Sequence, residues 1–272
     1  MKKIALTLAL IAAPAAVMAD KLEDLKAQGY ARIAIANEPP FTAVAADGSV
    51  SGAAPDVARE VFKRLGVPEV VASISEYGAM IPGLQARRHD AITAGLFMKP
   101  ERCQAVAYSE PVLCDAEAFL LPKGNPKGFK SYADIAADPT ATIGAPGGGT
   151  EEKLALEAGV PRDRVIVVPD GQSGLKMLQD GRLDVYSLPV LSISDLMAKA
   201  ADPNLEMFAP VVGAPVYCDG AAFRKEDAAL RDAFDVELAK MKESGEFAAI
   251  IEPYGFSAAA AMSTSRAELC GE

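Results

Sequence analysis

Twice along this chain, short apolar runs of strand length alternate with stretches whose apolar residues recur at helical spacing. That alternation restricts the fold more than any other feature. A strand–helix–strand order closes by carrying the helix across a sheet face, which builds mostly parallel sheets covered on both faces. In the first series, residues 32–36, 70–74, 91–94, 106–109 and 118–121 read as strands. Residues 54–65, with Val57, Val61, Phe62 and Leu65, and residues 80–87 read as helices. The second series places helices at 131–136, 151–158, 173–179, 194–200 and 228–244, and strands at 142–145, 165–168, 185–187 and 216–223. Residues 250–256 end the fold. The connection Pro122-Lys123-Gly124-Asn125-Pro126 separates the two series. The chain is therefore expected to be α/β and two-lobed. Residues 20–121 and 218–257 form lobe 1, residues 122–217 lobe 2, and 258–272 a C-terminal tail, with two crossings between the lobes.

The N-terminus sets the compartment. Met1, Lys2 and Lys3 precede an apolar run that closes on Val17-Met18-Ala19. A charged start, a short apolar stretch and small residues at a cut site make a secretory signal peptide, residues 1–19, with cleavage before Asp20. The run is shorter than the ~20 residues an anchor needs. No Cys stands at the cut for lipid attachment. The mature chain is expected to be a soluble periplasmic monomer. A formal net charge of −10 opposes a phosphate backbone and excludes nucleic acid as a natural partner.

Cys103, Cys114, Cys218 and Cys270 allow three pairings in an oxidising compartment. Cys218–Cys270 is the expected bridge, because Cys270 lies in a polar tail with little else to hold it. No two cysteines have zinc-knuckle spacing. The single His89 follows Arg87 and Arg88 and reads as a surface residue, so neither a metal nor a cofactor is expected.

Three loops at strand ends carry candidate chemistry, and ligands of open α/β sheets sit beyond such ends. In Asn37-Glu38-Pro39-Pro40-Phe41, two prolines stiffen the backbone and hold Glu38 and Phe41 in place, whether for a ligand or simply as a rigid turn. In the loop 95–102, Phe97 is a ring-face or core candidate. Arg102 offers a planar fork for a carboxylate, or an ion pair with Glu101 or Glu110. Gly147-Gly148-Gly149-Thr150 joins a strand to a helix. It offers backbone N–H groups to an anion, with Thr150 also suited to N-capping. It lacks the Lys-Ser/Thr ending of a P-loop and the glycine spacing of a dinucleotide site.

In order, Pro100-Glu101-Arg102, Tyr108-Ser109-Glu110-Pro111, residues 144–150 and Gly181-Arg182-Leu183-Asp184 resemble the motifs of amino-acid-type periplasmic binding proteins of ABC transporters. The resemblance covers residues 20–257. Within that family, residues 36–41, 99–103, 145–152 and 216–220 resemble the ectoine/hydroxyectoine-binding component. It implies a type II periplasmic binding fold with mixed, mostly parallel sheets, and closure by hinge motion around a small zwitterion. The partner implied is a cognate permease in the inner membrane. An acid and aromatic rings would surround the ligand's ring, while an arginine and a glycine-rich loop hold its carboxylate. Those roles fall on Glu38, Phe41, Tyr77, Phe97, Arg102, Gly148 and Thr150.

The departures from ordinary amino-acid binders point the same way. Such binders often carry a small hydroxyl residue where Phe97 stands. They often have an acid for the α-amino group where Val185-Tyr186-Ser187-Leu188-Pro189 has none. Fewer localised acceptors and more rings suit a delocalised cation such as an amidinium. The alternatives are a binder of proline, a betaine or another amino acid, and a periplasmic dehydratase of the same fold.

Overall fold

The structure is a computed structural model that describes residues 21–271. The expected signal peptide and its cleavage site lie outside the described residues. Along the chain run β1 (Tyr30–Ile35), β2 (Glu69–Ile74), β3 (Ala91–Ile92), β4 (Ala107–Tyr108), β5 (Glu117–Pro122), β6 (Ile143–Pro146), β7 (Val165–Val168), β8 (Val185–Pro189), β9 (Leu205–Phe208) and β10 (Ala222–Phe223). They form two five-stranded sheets, of order β2-β1-β3-β10-β4 and β7-β6-β8-β5-β9.

Each sheet is parallel at one side and antiparallel at the other. β1 runs parallel to β2 and β3, and β10 antiparallel to β3 and β4. In the second sheet β6 runs parallel to β7 and β8, and β5 antiparallel to β8 and β9. The reversed strands β5 and β10 are those that receive the chain from the other lobe. A strand arriving from the hinge starts where the parallel strands end, so it must run against them.

Both faces of each sheet are covered. Phe119 and Leu121 of β5 pack with Tyr132 and Ile143 on one face, while Ala118 and Leu120 pack with Leu175 and Tyr186 on the other. This is the alternation that a strand imposes. In the first lobe, the helices Ala53–Arg64 and Ala228–Ser244 cover one face through an edge-to-face contact of Phe62 and Phe234 at 5.8 Å. The helix Tyr77–Gln85 covers the other with Met80 and Leu84.

Several expectations need correction. β5 lies in the second sheet, so the chain crosses before Glu117 and not after Leu121. The crossing passes through Cys114–Asp115, which pairs antiparallel with the returning Tyr217–Cys218. The Gly/Pro-rich stretch is a turn inside the second lobe, closed by Asn125 N–H on Pro122 O at 3.0 Å. Residues 216–223 accordingly form two short strands rather than one, in different sheets.

The disulfides are Cys103–Cys270 and Cys114–Cys218, not Cys218–Cys270. Cys218 faces Cys114 directly across the crossing ribbon. Cys270 ends a short helix, Arg266–Cys270, that packs on the helix Pro100–Ala105. The C-terminal segment is therefore no loose tail. Ser265 makes a capping box with Glu268, and the Arg266 guanidinium bonds Asp235 at 2.8 Å and Tyr108 O at 3.0 Å.

His89 is buried and not on the surface. Its Nδ1 lies 3.3 Å from Ser73 Oγ, and its ring fills the space where Gly83 lacks a Cβ. Arg87 adopts a positive φ of 60° and turns the chain back inward before His89. Burial, followed by the nearby Arg32 charge, lowers the imidazole pKa.

Candidate functional site

The loop after β1 is locked by its own side chains. Thr42 Oγ1 accepts from Glu38 N–H at 3.1 Å, Thr42 N–H donates to Glu38 O at 3.0 Å, and Asn37 Oδ1 accepts from Val44 N–H at 2.9 Å. The Glu38 carboxylate is thereby aimed into the cleft between the sheets. Its Oε1 accepts from Ser192 Oγ at 2.8 Å, and its Oε2 lies 3.2 Å from the Tyr77 hydroxyl, which also stands 3.0 Å from Ala94 O. Burial and then the Glu151 charge push the Glu38 carboxyl up to about 8, against the pull of these two hydroxyls.

Four rings pack together beside it. Phe97 stacks on Tyr217 at 5.6 Å and 18°, and Phe41 meets Phe97 edge-on at 5.9 Å and Phe256 at 4.7 Å. Gly95 has φ +77°, and a Cβ there would stand 2.8 Å from the Phe41 ring, so this position requires glycine. Its N–H is held by Asp219 at 2.9 Å.

Arg102 enters from the helix Pro100–Ala105. Its Nη1 donates to Phe97 O at 2.8 Å and its Nη2 to Gly148 O at 2.9 Å. It pairs with neither acid that the sequence offered it: Glu101 pairs with Lys153, and Glu110 with Arg266. Two of five guanidinium donors hold the backbone, which fixes the plane of the others. Thr150 is not a cap. Gly149 holds the N-cap position, and Thr150 Oγ1 is buried without a partner in the protein. A hydroxyl left so at the start of a helix is suited to an anionic ligand group.

The two lobes meet here. Gly78 N–H donates to Gly147 O at 3.1 Å, and a Cβ on Gly148 would stand 2.4 Å from Gly78 Cα. With the Arg102, Ser192 and Lys153 contacts, this seam holds the cleft closed. Glu38, Phe41, Tyr77, Phe97, Arg102 and Thr150 line one cavity, which Gly95, Gly149, Glu151 and Pro189 complete. Gly148 is not part of its lining, and its N–H is committed to Glu152 at 2.5 Å.

Residues 31–257 match the model of the bacterial extracellular solute-binding proteins, family 3. The chain belongs to this family. A relative described as a probable amino-acid ABC transporter periplasmic-binding protein, of Sinorhizobium fredii, is 36% identical over 258 residues, 92% of this chain and 85% of its own. The crystal structure of EhuB in complex with hydroxyectoine is 84% identical, with a TM-score of 0.92 over 92% of this chain and 98% of that one. A mutant arginine-binding protein from T. maritima is 26% identical, with a TM-score of 0.77 over 86% and 98%. Family 3 solute-binding proteins are extracellular binders, and no helix among the described residues is long and apolar enough to cross a membrane.

For this family 3 solute-binding protein, six of the seven expected site residues share one cavity. Sequence reasoning missed Ser192, Glu151, Glu117 and Tyr217. Glu117 carried a usable signal, being an acid that opens the apolar run of β5, a strand buried along its length. Tyr217 stood inside a recognised segment but had no visible partner. Ser192 gave no signal, because a serine within a helix is ordinary.

Proposed function

We propose that the chain captures ectoine and 5-hydroxyectoine for an ABC importer, closing its two lobes around the ligand and presenting the closed form to a membrane permease outside the cytoplasm. The observation that carries this reading is the cavity between the lobes itself. A part-buried carboxylate and aromatic rings stand at one end, and a backbone-fixed guanidinium with an unpartnered Thr150 hydroxyl at the other. The high identity to a protein crystallised with hydroxyectoine supports it.

The chemistry fits both ends of such a molecule. A cyclic amidinium spreads its charge over a flat N–C–N unit. Each ring face contributes roughly 0.5–2 kcal/mol to holding it. Glu38 accepts its N–H donors with charge assistance. Arg102 and Thr150 take the carboxylate. Glu38, Tyr77, Phe41, Phe97 and Arg102 belong to the first lobe, and Thr150 and Ser192 to the second. A ligand touching both stabilises the closed state relative to the open one.

Calorimetric titration with ectoine, hydroxyectoine, proline and glycine betaine tests this. Saturable one-to-one binding of the two ectoines, with much weaker heats from the others, is expected. Tighter binding of proline or betaine would replace the ligand, and turnover of any ligand on incubation would favour a dehydratase.

A further inference from the structure

Beside Thr150 the second lobe buries two further carboxyls. Glu117, on β5 opposite Pro189 of β8, is 1% exposed, and neither of its carboxylate oxygens meets a donor in the protein. Glu151 is 4% exposed and lines the cavity, and its carboxyl is a close neighbour of that of Glu117. Two neighbouring buried carboxylates with so few donors disfavour double ionisation. Each loses its hydration, and their charges repel. A single proton turns the same contact into an O–H···O⁻ bond, among the stronger hydrogen bonds available. Glu38 and Asp115 face the pair as acids, Lys99 and Arg102 as cations, and Tyr132 and Tyr217 as neutral phenols. The Lys99 ammonium sits over the Tyr217 ring at 4.9 Å. Burial, reinforced by the Glu151 charge, pushes the Glu117 carboxyl well above the usual range.

We propose that Glu117 and Glu151 hold one proton between them in the closed cleft, so that this wall presents one negative charge instead of two, and that Glu117 thereby sets the ligand charge the cleft accepts. The inference rests on the zwitterion reading above. With the proton in place, the ligand's carboxylate approaches Thr150 and Arg102 past a single charge. Without it, a second negative charge stands beside that carboxylate, and the wall suits a cationic ligand better. The proton enters from the buffer as the cleft closes and returns when it opens. Glu117 is a specificity residue that acts through Glu151, the member of the pair in the cavity wall.

Calorimetry of hydroxyectoine in two buffers of different ionisation enthalpy tests this on the full-length mature protein. Above neutral pH the wild type is expected to take up a proton on binding. Its affinity should then fall by up to about tenfold per pH unit as the uptake approaches one. Glu117→Gln keeps the shape and a donor but has no proton to share. It is expected to bind with no uptake and with the alkaline decline flattened. Glu151→Gln should do the same, and it carries the test if the first variant fails to fold. Wild-type binding without proton uptake, or equal uptake in a folded variant, would overturn the shared proton. Absence of any hydroxyectoine binding by the wild type would overturn the zwitterion reading, and with it the role in ligand charge.

Discussion

Ser192 Oγ donates to Glu38 Oε1 at 2.8 Å, tying a helix of the second lobe to the loop after the first strand of the other lobe. This one bond joins recognition to closure. In the proposed complex Glu38 is the acid that meets the ligand's cation, and it receives the Ser192 donor when the lobes meet. Ser192→Ala should therefore weaken hydroxyectoine roughly 2- to 10-fold, the worth of one hydrogen bond. Glu38→Gln should cost far more, about 30-fold or above, because it leaves a buried cation unmatched. Titration of both variants checks the ranking, and equal losses would contradict it.

Removing Arg102 strands the carboxylate and frees the Phe97 and Gly148 carbonyls together. Arg102→Ala should abolish high-affinity binding, with a loss of about 2–5 kcal/mol. Arg102→Lys should restore little, because a point charge cannot hold two carbonyls and a carboxylate in one plane. Substantial rescue by lysine would remove the planar clamp from the account.

The ring wall makes a graded prediction. Phe97→Ala should weaken ectoine more than Phe97→Tyr does, by about 1–2 kcal/mol, because tyrosine keeps a face for the cation and for the stack on Tyr217. Equal affinities for the two variants would argue against a ring-face contact.

Glu38 also makes ligand-free closure pH-dependent. Burial in the closed cleft pushes its carboxyl up to about 8, and a cleft open to water would return it to the ordinary carboxylate range. An acid raised in one state favours that state while it is protonated. The contribution to ligand-free closure is thus complete below about pH 4.5 and is lost as pH rises through about 8. Small-angle scattering of the ligand-free protein should show a more open molecule at pH 9 than at pH 5. Glu38→Gln should reduce that change.

The two bridges should differ in what they protect. Cys114–Cys218 closes a sequence separation of 104 residues across the lobe crossing. Its loss should destabilise the fold by about 2–5 kcal/mol, read as a lowered Tm. Replacing Cys103 and Cys270 by serine should instead speed hydrogen exchange in the helices Pro100–Ala105 and Arg266–Cys270, and weaken binding through the neighbouring Arg102.

The parts legible in the sequence were those with local causes. β1, β7 and the helix Ala228–Ser244 declare themselves by apolar spacing. Glu38 and Phe41 stand out because prolines hold them at a strand's end. What escaped depends on distant pairing. Nothing near β5 tells a reader that its partners are β8 and β9 rather than the first sheet. The cysteine pairs were hidden for the same reason, since Cys103 and Cys270 meet only after 167 residues. Ser192 belongs to the site through the closed arrangement of the lobes, which no spacing encodes. Thr150 was misassigned in one respect, because the cap position falls one residue earlier, and this leaves its hydroxyl for a ligand.

The most direct test is a crystal structure of the protein with hydroxyectoine. The amidinium should lie against Glu38, faced by Phe41, Tyr77 and Phe97, with its carboxylate on Arg102 and the Thr150 hydroxyl. A ligand bound elsewhere, or one with its carboxylate turned toward Glu38, would contradict the account.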